Sequence, residues 1–108
     1  MKLRVYELAL ETMPLVAALI TRIERHDRDL ARQLRRASVS VPLNIAEGSH
    51  SKGGNRRERF TNAMSSARES IACLQVAEAM SRLPKGDAAE VVDRLDHVVA
   101  MLWRLRRK

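Results

Sequence analysis

Apolar residues recur every three or four positions along four stretches of the chain, the spacing that places side chains on one face of an α-helix. The first stretch covers about residues 3 to 24, and its predicted seam is Leu3, Tyr6, Leu10, Met13, Ala17 and Ile20. Val16, Leu19 and Ile23 widen this seam into the broad apolar face that is typical of a bundle helix. Pro14 lies inside the stretch, so we expect a kink there, because proline lacks the amide N–H that the helix uses.

A second helix is predicted over residues 27 to 48. Asp27 is a suitable N-cap, because its carboxylate can accept a hydrogen bond from a free N–H of the first turn. Pro42 lies in the helix interior, where a second kink is expected. The segment from Gly48 to Asn55 contains Gly53 and Gly54 and is predicted to be an exposed loop.

Two further helices are predicted over residues 56 to 83 and 87 to 106, separated by Pro84 and Gly86. Asp87 is the expected N-cap of the last helix. Because short connections join long amphipathic helices, neighbouring helices should run antiparallel. The sequence therefore predicts an all-α protein, a single up-down-up-down four-helix bundle domain over residues 1 to 108.

The composition fits a small helical domain. Hydrophobic residues make up 45% of the 108 residues and charged residues 31%, whereas there is only one Phe, one Trp and one Tyr. The single Cys73 excludes a disulfide scaffold. Neither a signal peptide nor an apolar run long enough to span a bilayer is recognisable, so we expect a cytoplasmic protein without a membrane partner.

Positive charge is unevenly distributed within the net charge of +7. Residues 22 to 59 contain ten Lys or Arg against five acids, and the last five residues contain four basic residues and no acid. This distribution is typical of a surface that contacts a polyanion or an acidic protein. The candidate nucleic-acid-binding residues are Arg32, Arg35, Arg36, Lys52, Arg56, Arg57, Arg59, Arg104, Arg106, Arg107 and Lys108.

Nothing in the sequence favours catalysis. The nearest approach to a metal site is Asp93, Asp96 and His97, but no second ligand pair exists to complete it. Cys73 lies among apolar residues, as a buried structural cysteine does. No serine has the sequence context of an activated nucleophile. We therefore expect neither an enzyme nor a bound metal or cofactor.

Two polar residues interrupt the apolar pattern of the second helix. Asn44 lies between Leu43 and Ile45, and Glu47 lies near the helix C-terminus, where the helix dipole disfavours negative charge. We expect both to have partners on the third helix: serines for Asn44, and an arginine (56, 57 or 68) for Glu47. A structural network that fixes the helix register is preferred over ligand binding.

The segment from Ser38 to Gly48, with the sequence SVSVPLNIAEG, resembles the signature of the "four helix bundle protein" family. This family includes the 23S rRNA intervening-sequence proteins and the accessory variability determinant (Avd) proteins of diversity-generating retroelements. Residues 33 to 37 and 63 to 69 extend the resemblance, although Ser65 replaces the usual glycine and residues 48 to 55 are longer than the usual turn. The motif residues are Ser38, Ser40, Pro42, Asn44, Glu47, Gly48, Ser66 and Glu69.

The resemblance implies a ring-like homopentamer. The sequence of residues 66 to 69 is more similar to the Avd branch of the family, whose members associate with nucleic acid and a reverse transcriptase.

Three interpretations of the basic surface stay open. The protein is a nucleic-acid-binding or ribonucleoprotein accessory protein, a scaffold for an acidic protein partner, or a bundle whose charge serves only solubility. The few aromatic residues argue against base stacking as the main mode of nucleic-acid binding.

Overall fold

A computed structural model of the chain describes residues 3 to 107 and contains four helices, which confirms the predicted all-α fold. Helix α1 spans Arg4–Glu24, α2 spans Arg28–Ser49, α3 spans Gly53–Ala79 and α4 spans Ala89–Arg106. Lys108, a candidate binding residue, lies outside the described residues. None of the four helices is both long and apolar enough to cross a membrane.

The helices form an elongated antiparallel bundle about 42 Å long and 20 Å wide. Each helix packs against its neighbours in the chain, and α1 packs against α4 to close the square. The α2–α3 connection, the first turn of α1 and the last turn of α4 therefore lie at one end of the bundle. The α1–α2 and α3–α4 connections lie at the other end.

The core contains apolar residues from all four helices, but the buried face of α1 differs from the predicted seam. Val5, Ala9, Val16 and Ile23 are buried, whereas Leu10 and Ala17 face outward. The prediction was wrong at these positions because α1 carries apolar residues on two sides, and spacing alone does not say which side the other helices cover.

The bounds of α3 also differ from the prediction. The helix begins at Gly53, so the preceding connection contains only residues 50 to 52, and it ends at Ala79. Ser81 has a φ of 58° and reverses the chain, after which the N–H groups of Arg82 and Leu83 bond to the Ala77 carbonyl at 2.7 and 3.3 Å. Leu83, the predicted last residue of this helix, is buried as the apolar spacing indicates, but it lies in the connection that follows α3.

One of the two predicted caps is confirmed. The Asp27 carboxylate accepts a hydrogen bond from the Leu30 N–H at 3.0 Å, as an N-cap does. Asp87 is not the cap of α4, because it instead pairs with Arg22 of α1. Glu78 of α3 instead accepts a hydrogen bond at 3.0 Å from the N–H of Ala88, the residue just before α4, and no side chain caps the first turn of α4.

Gly48 marks the close approach of α2 and α3. A Cβ at this position would lie 2.6 and 2.7 Å from two carbons of the Phe60 ring. Phe60 is fully buried, so its ring packs directly on the glycine backbone. Gly48, the last residue of the family signature, therefore allows α2 and α3 to pack closely at the end of the bundle where the candidate basic residues of α3 and α4 lie.

Candidate nucleic-acid interface

The N-terminus of α3 and the C-terminus of α4 bring arginines together at one end of the bundle, which we call the basic end. Arg106 is held there because its Nε donates a hydrogen bond to Thr61 Oγ1 at 2.7 Å. With Arg56 and Arg57 it lines a small recess whose rim includes Gly53. Residues far apart in the sequence thus form one basic surface.

Arg56 also has a structural role at the basic end. Its guanidinium lies 4.7 Å from the centroid of the Phe60 ring, and its Nη1 donates a long hydrogen bond of 3.4 Å to the Gly48 carbonyl. A cation at the C-terminus of α2 also matches the helix dipole. Arg56 is therefore less free to contact a ligand than the exposed Arg57.

The arginines of the basic end lack acidic partners. Within residues 3 to 107, no carboxylate oxygen lies within 4.0 Å of a guanidinium nitrogen of Arg56, Arg57, Arg104, Arg106 or Arg107. At the opposite end, by contrast, Arg22 pairs with Asp87, and Arg82 lies 3.7 Å from Asp27. Arginines without an ion pair are therefore more numerous at the basic end, although Arg25 and Arg28 at the opposite end also have none among the described residues.

Helix α3 adds to the positive charge of the basic end. Its N-cap residue is Lys52, which makes no side-chain hydrogen bond to the first turn, and that turn contains no acid. The N–H groups that begin a helix carry partial positive charge and attract anions. Lys52 and the start of α3 therefore reinforce the arginines beside them.

The other predicted basic residues lie along the outer flank of the bundle. Arg35, Arg36 and Arg59 border an open groove of about 550 Å³ between α2 and α3, whose lining includes the exposed Val39 and Leu43. We call this the α2–α3 groove. Arg32 lies nearer the opposite end, 3.7 Å from Asp29. The candidate set predicted from sequence is therefore divided between two surfaces.

The serine and asparagine positions of the signature form a polar network beside the groove, but Asn44 reaches the predicted serine of the third helix only through Ser40 of its own helix. Its Nδ2 donates to the carbonyl and to the Oγ of Ser40, both at 2.9 Å. Ser66 of α3 donates from its hydroxyl to Ser40 Oγ at 2.8 Å and so joins the two helices. The buried Ser38 instead bonds to the Arg35 carbonyl of its own helix. This network fixes the register of α2 against α3.

The predicted ion pair of Glu47 is wrong. Its side chain is exposed at the edge of the α2–α3 groove, and within residues 3 to 107 no Lys or Arg nitrogen lies within 4.0 Å of its carboxylate. The reason is that Arg56 turns inward onto Phe60 and the end of α2. Glu47 is thus an acidic group at the border of an otherwise basic groove.

The remaining polar candidates lie apart from the basic end. Glu69 is exposed and borders a shallow depression with Arg32 and Arg36.

Burial, together with the nearby Glu69 charge, raises the pKa of the Cys73 thiol, which disfavours the reactive thiolate. His97 lies on the exposed side of α4 with its Nδ1 3.7 Å from Asp93. Across the described part of the chain, no three metal-ligating side chains cluster.

Sequence reasoning missed two features of the surface. Leu10, Pro14, Ala17 and Ala18 form an outward apolar stripe on α1. The apolar spacing predicts core positions for Leu10 and Ala17, and Pro14 by itself predicts only a kink. Trp103 of α4 is exposed beside the basic end. The four basic residues that follow it in the sequence were a pattern that could have indicated a surface position.

Comparison with known proteins agrees with this architecture. A solved structure of a protein of unknown function from the S23 ribosomal protein family of Bacteroides thetaiotaomicron superposes with a TM-score of 0.87. At 14% sequence identity, with 96% of this chain and 99% of that one covered, the likeness concerns the fold alone. No curated protein matches the sequence. The profile of the 23S rRNA-intervening sequence proteins matches residues 1 to 104, and neither description names an enzymatic activity. The chain therefore belongs to the 23S rRNA-intervening sequence protein family.

Proposed function

We propose that this protein is a non-enzymatic accessory protein that binds structured nucleic acid as a homo-oligomer, with the basic end as its contact surface. The observation that carries the proposal is the group of arginines without acidic partners where α3 and α4 meet. Phosphate oxygens are suitable ligands for guanidinium groups, which donate in a fork geometry. The family description makes structured ribosomal RNA the natural first probe.

Self-association is supported by two surfaces that complement each other. The α2–α3 groove exposes Leu43, at 60% of its full exposure, between arginines. The outward stripe of α1 exposes Leu10 beside Glu11, and α1 contains no Lys or Arg between Arg4 and Arg22. An apolar and acidic helix face therefore fits the apolar and basic groove of a second copy.

Such a contact joins two different faces, so its repetition gives a ring where the rotation between copies closes and an open filament where it does not, rather than a twofold dimer. The resemblance to ring-forming relatives implies five subunits. A ring repeats the basic end in every subunit, so that weak contacts act together on one nucleic acid.

Fluorescence anisotropy of a labelled structured RNA and of duplex DNA tests the nucleic-acid role, with the subunit number fixed by light scattering. We expect binding that survives near-physiological salt and random competitor. The variant with Arg57→Gln, Arg104→Gln and Arg107→Gln should bind more weakly than the wild type. Its slope of log affinity against log salt should be shallower by roughly 0.7–0.9 for each phosphate that a subunit no longer neutralises.

The matched control removes the same kind of charge from the opposite end of the bundle. Arg25→Gln, Arg28→Gln and Lys85→Gln together change three exposed basic residues there and should leave affinity and salt slope nearly unchanged. Equal losses of affinity in both variants would mean that net charge alone drives binding. Binding that disappears at physiological salt, with the oligomer intact, would refute the nucleic-acid role.

The α2–α3 groove also favours a second candidate function, a scaffold for an acidic protein such as a partner reverse transcriptase. Its two exposed apolar side chains and bordering arginines suit an acidic amphipathic helix. In this case Arg35→Gln and Arg36→Gln should abolish partner binding while RNA affinity persists. A pull-down with a purified reverse transcriptase, together with RNA anisotropy on the same variant, distinguishes the two outcomes.

A further inference from the structure

Trp103 is an exposed aromatic residue beside the basic end. It lies in the last turns of α4 and retains 46% of its full exposure. Tryptophan side chains are large and usually well buried, so an indole exposed to this extent on a small protein stands out from the core packing. Nothing in the packing of the bundle accounts for its position.

Two guanidinium groups lie close to the indole. Arg106 is 5.4 Å and Arg107 is 6.0 Å from the ring centroid, within the range of cation–π attraction. Arg106 is also anchored to α3 through Thr61. The indole is therefore bordered by a fixed positive charge.

Arg106 connects the indole with the recess at the start of α3. One side of Arg106 faces the Trp103 ring, and the same residue lines the recess with Arg56 and Arg57. A nucleotide whose phosphate contacts these arginines would have its base within reach of the indole, because phosphate and base of one nucleotide are only a few ångströms apart. Aromatic faces next to a basic surface are how many proteins hold unpaired bases.

We propose that Trp103 stacks on an unpaired base of the bound nucleic acid, so that the protein prefers a loop or single-stranded segment over a continuous duplex. This inference rests on the proposed function and names the class of ligand for the basic end. One aromatic residue per subunit leaves charge and shape as the main sources of affinity and adds a local contact to one base. Bases paired within a duplex do not offer their faces to the indole.

Trp103 is the only tryptophan of the chain, so its intrinsic fluorescence reports directly on this contact. The wild-type protein is titrated with an RNA hairpin that has an unpaired loop and with a blunt duplex of equal charge. We expect quenching by the hairpin and little change with the duplex. Trp103→Leu should weaken hairpin binding by roughly fivefold to a hundredfold in anisotropy and leave duplex binding unchanged.

Trp103→Phe should restore part of the hairpin preference, because a smaller aromatic ring still stacks. Met80→Ala, which truncates another exposed apolar side chain away from the basic end, is the matched control and should bind like the wild type. Hairpin binding without quenching, or an equal loss for hairpin and duplex in Trp103→Leu, would overturn the stacking inference while the proposed function stands. Failure of both nucleic acids to bind at physiological salt would overturn the proposed function and this inference with it.

Discussion

At the scale of single residues, Gly48 is the position where the packing of α2 on α3 leaves least room. The ring of Phe60 occupies the space that any larger side chain would need. This close packing explains why glycine is tolerated near the end of a helix, where alanine would otherwise be the better helix former.

Gly48→Ala should destabilise the protein by about 1–3 kcal/mol, because the new methyl group forces Phe60 or the α2 backbone to move. Urea unfolding followed by circular dichroism measures this change. Gly54→Ala is the matched control, since a Cβ there meets no atom within 4 Å, and it should be neutral or stabilising by up to about 1 kcal/mol. Equal stability of the two variants would show that α2 and α3 do not approach closely at Gly48.

At the scale of whole helices, the ends are fixed by different kinds of contact. Helix α2 is capped by Asp27, the residue just before its first turn, whereas the residue just before α4, Ala88, donates its N–H to Glu78 of α3. A local cap can be read from the sequence, but a hydrogen bond to another helix depends on how the helices pack. This difference explains why one predicted cap is confirmed and the other is wrong.

Asp27→Ala should lower the free energy of unfolding by about 0.5–2 kcal/mol, because the Leu30 N–H loses its acceptor and Arg82 its nearest carboxylate. Thermal and urea unfolding both measure the loss. Asp29→Ala removes an acid from the same helix turn without removing a cap, so it should cost less. A larger effect for Asp29→Ala would contradict the assignment of Asp27 as the cap.

At the scale of the whole molecule, the two ends of the bundle differ in how many of their arginines form ion pairs. Ion pairs connect the helices at the opposite end, through Arg22 with Asp87 and Arg82 with Asp27, while the basic end concentrates arginines without acidic partners among the described residues. The α2–α3 groove and the outward stripe of α1 lie on the sides of the bundle. The surfaces proposed for nucleic-acid contact and for self-association are therefore different and can be separated by mutation.

Leu43→Glu should break the oligomer, because it places a negative charge where the acidic and apolar face of α1 from a second copy would dock. Light scattering should show a smaller particle with unchanged helicity, and affinity for RNA should fall through loss of avidity although the basic end is intact. Met80→Glu makes the same kind of change at another exposed apolar residue and should keep the oligomer. An unchanged subunit number in Leu43→Glu would refute the α2–α3 groove as the interface.

The sequence predicted many residues of the candidate site, but it did not predict their positions or contacts in the folded protein. The sequence named Arg56, Arg57 and Arg106 as basic candidates, yet it could not say that Arg56 turns inward onto Phe60. It also could not say that Arg106 bonds to Thr61, 45 positions away. Charge density is a property of sequence, whereas the pairing of each charge depends on its spatial neighbours.

The sequence by itself determined the four helices, their order, the Asp27 cap and the family, because these depend on local spacing, local hydrogen bonding and a contiguous motif. The tertiary structure alone decided which side of α1 is buried, why Gly48 must be small and which arginines of residues 3 to 107 lack an acidic partner. Each of these depends on contacts between residues far apart in the chain. Such contacts exist only after the helices pack, because packing chooses among faces that helical periodicity leaves equivalent.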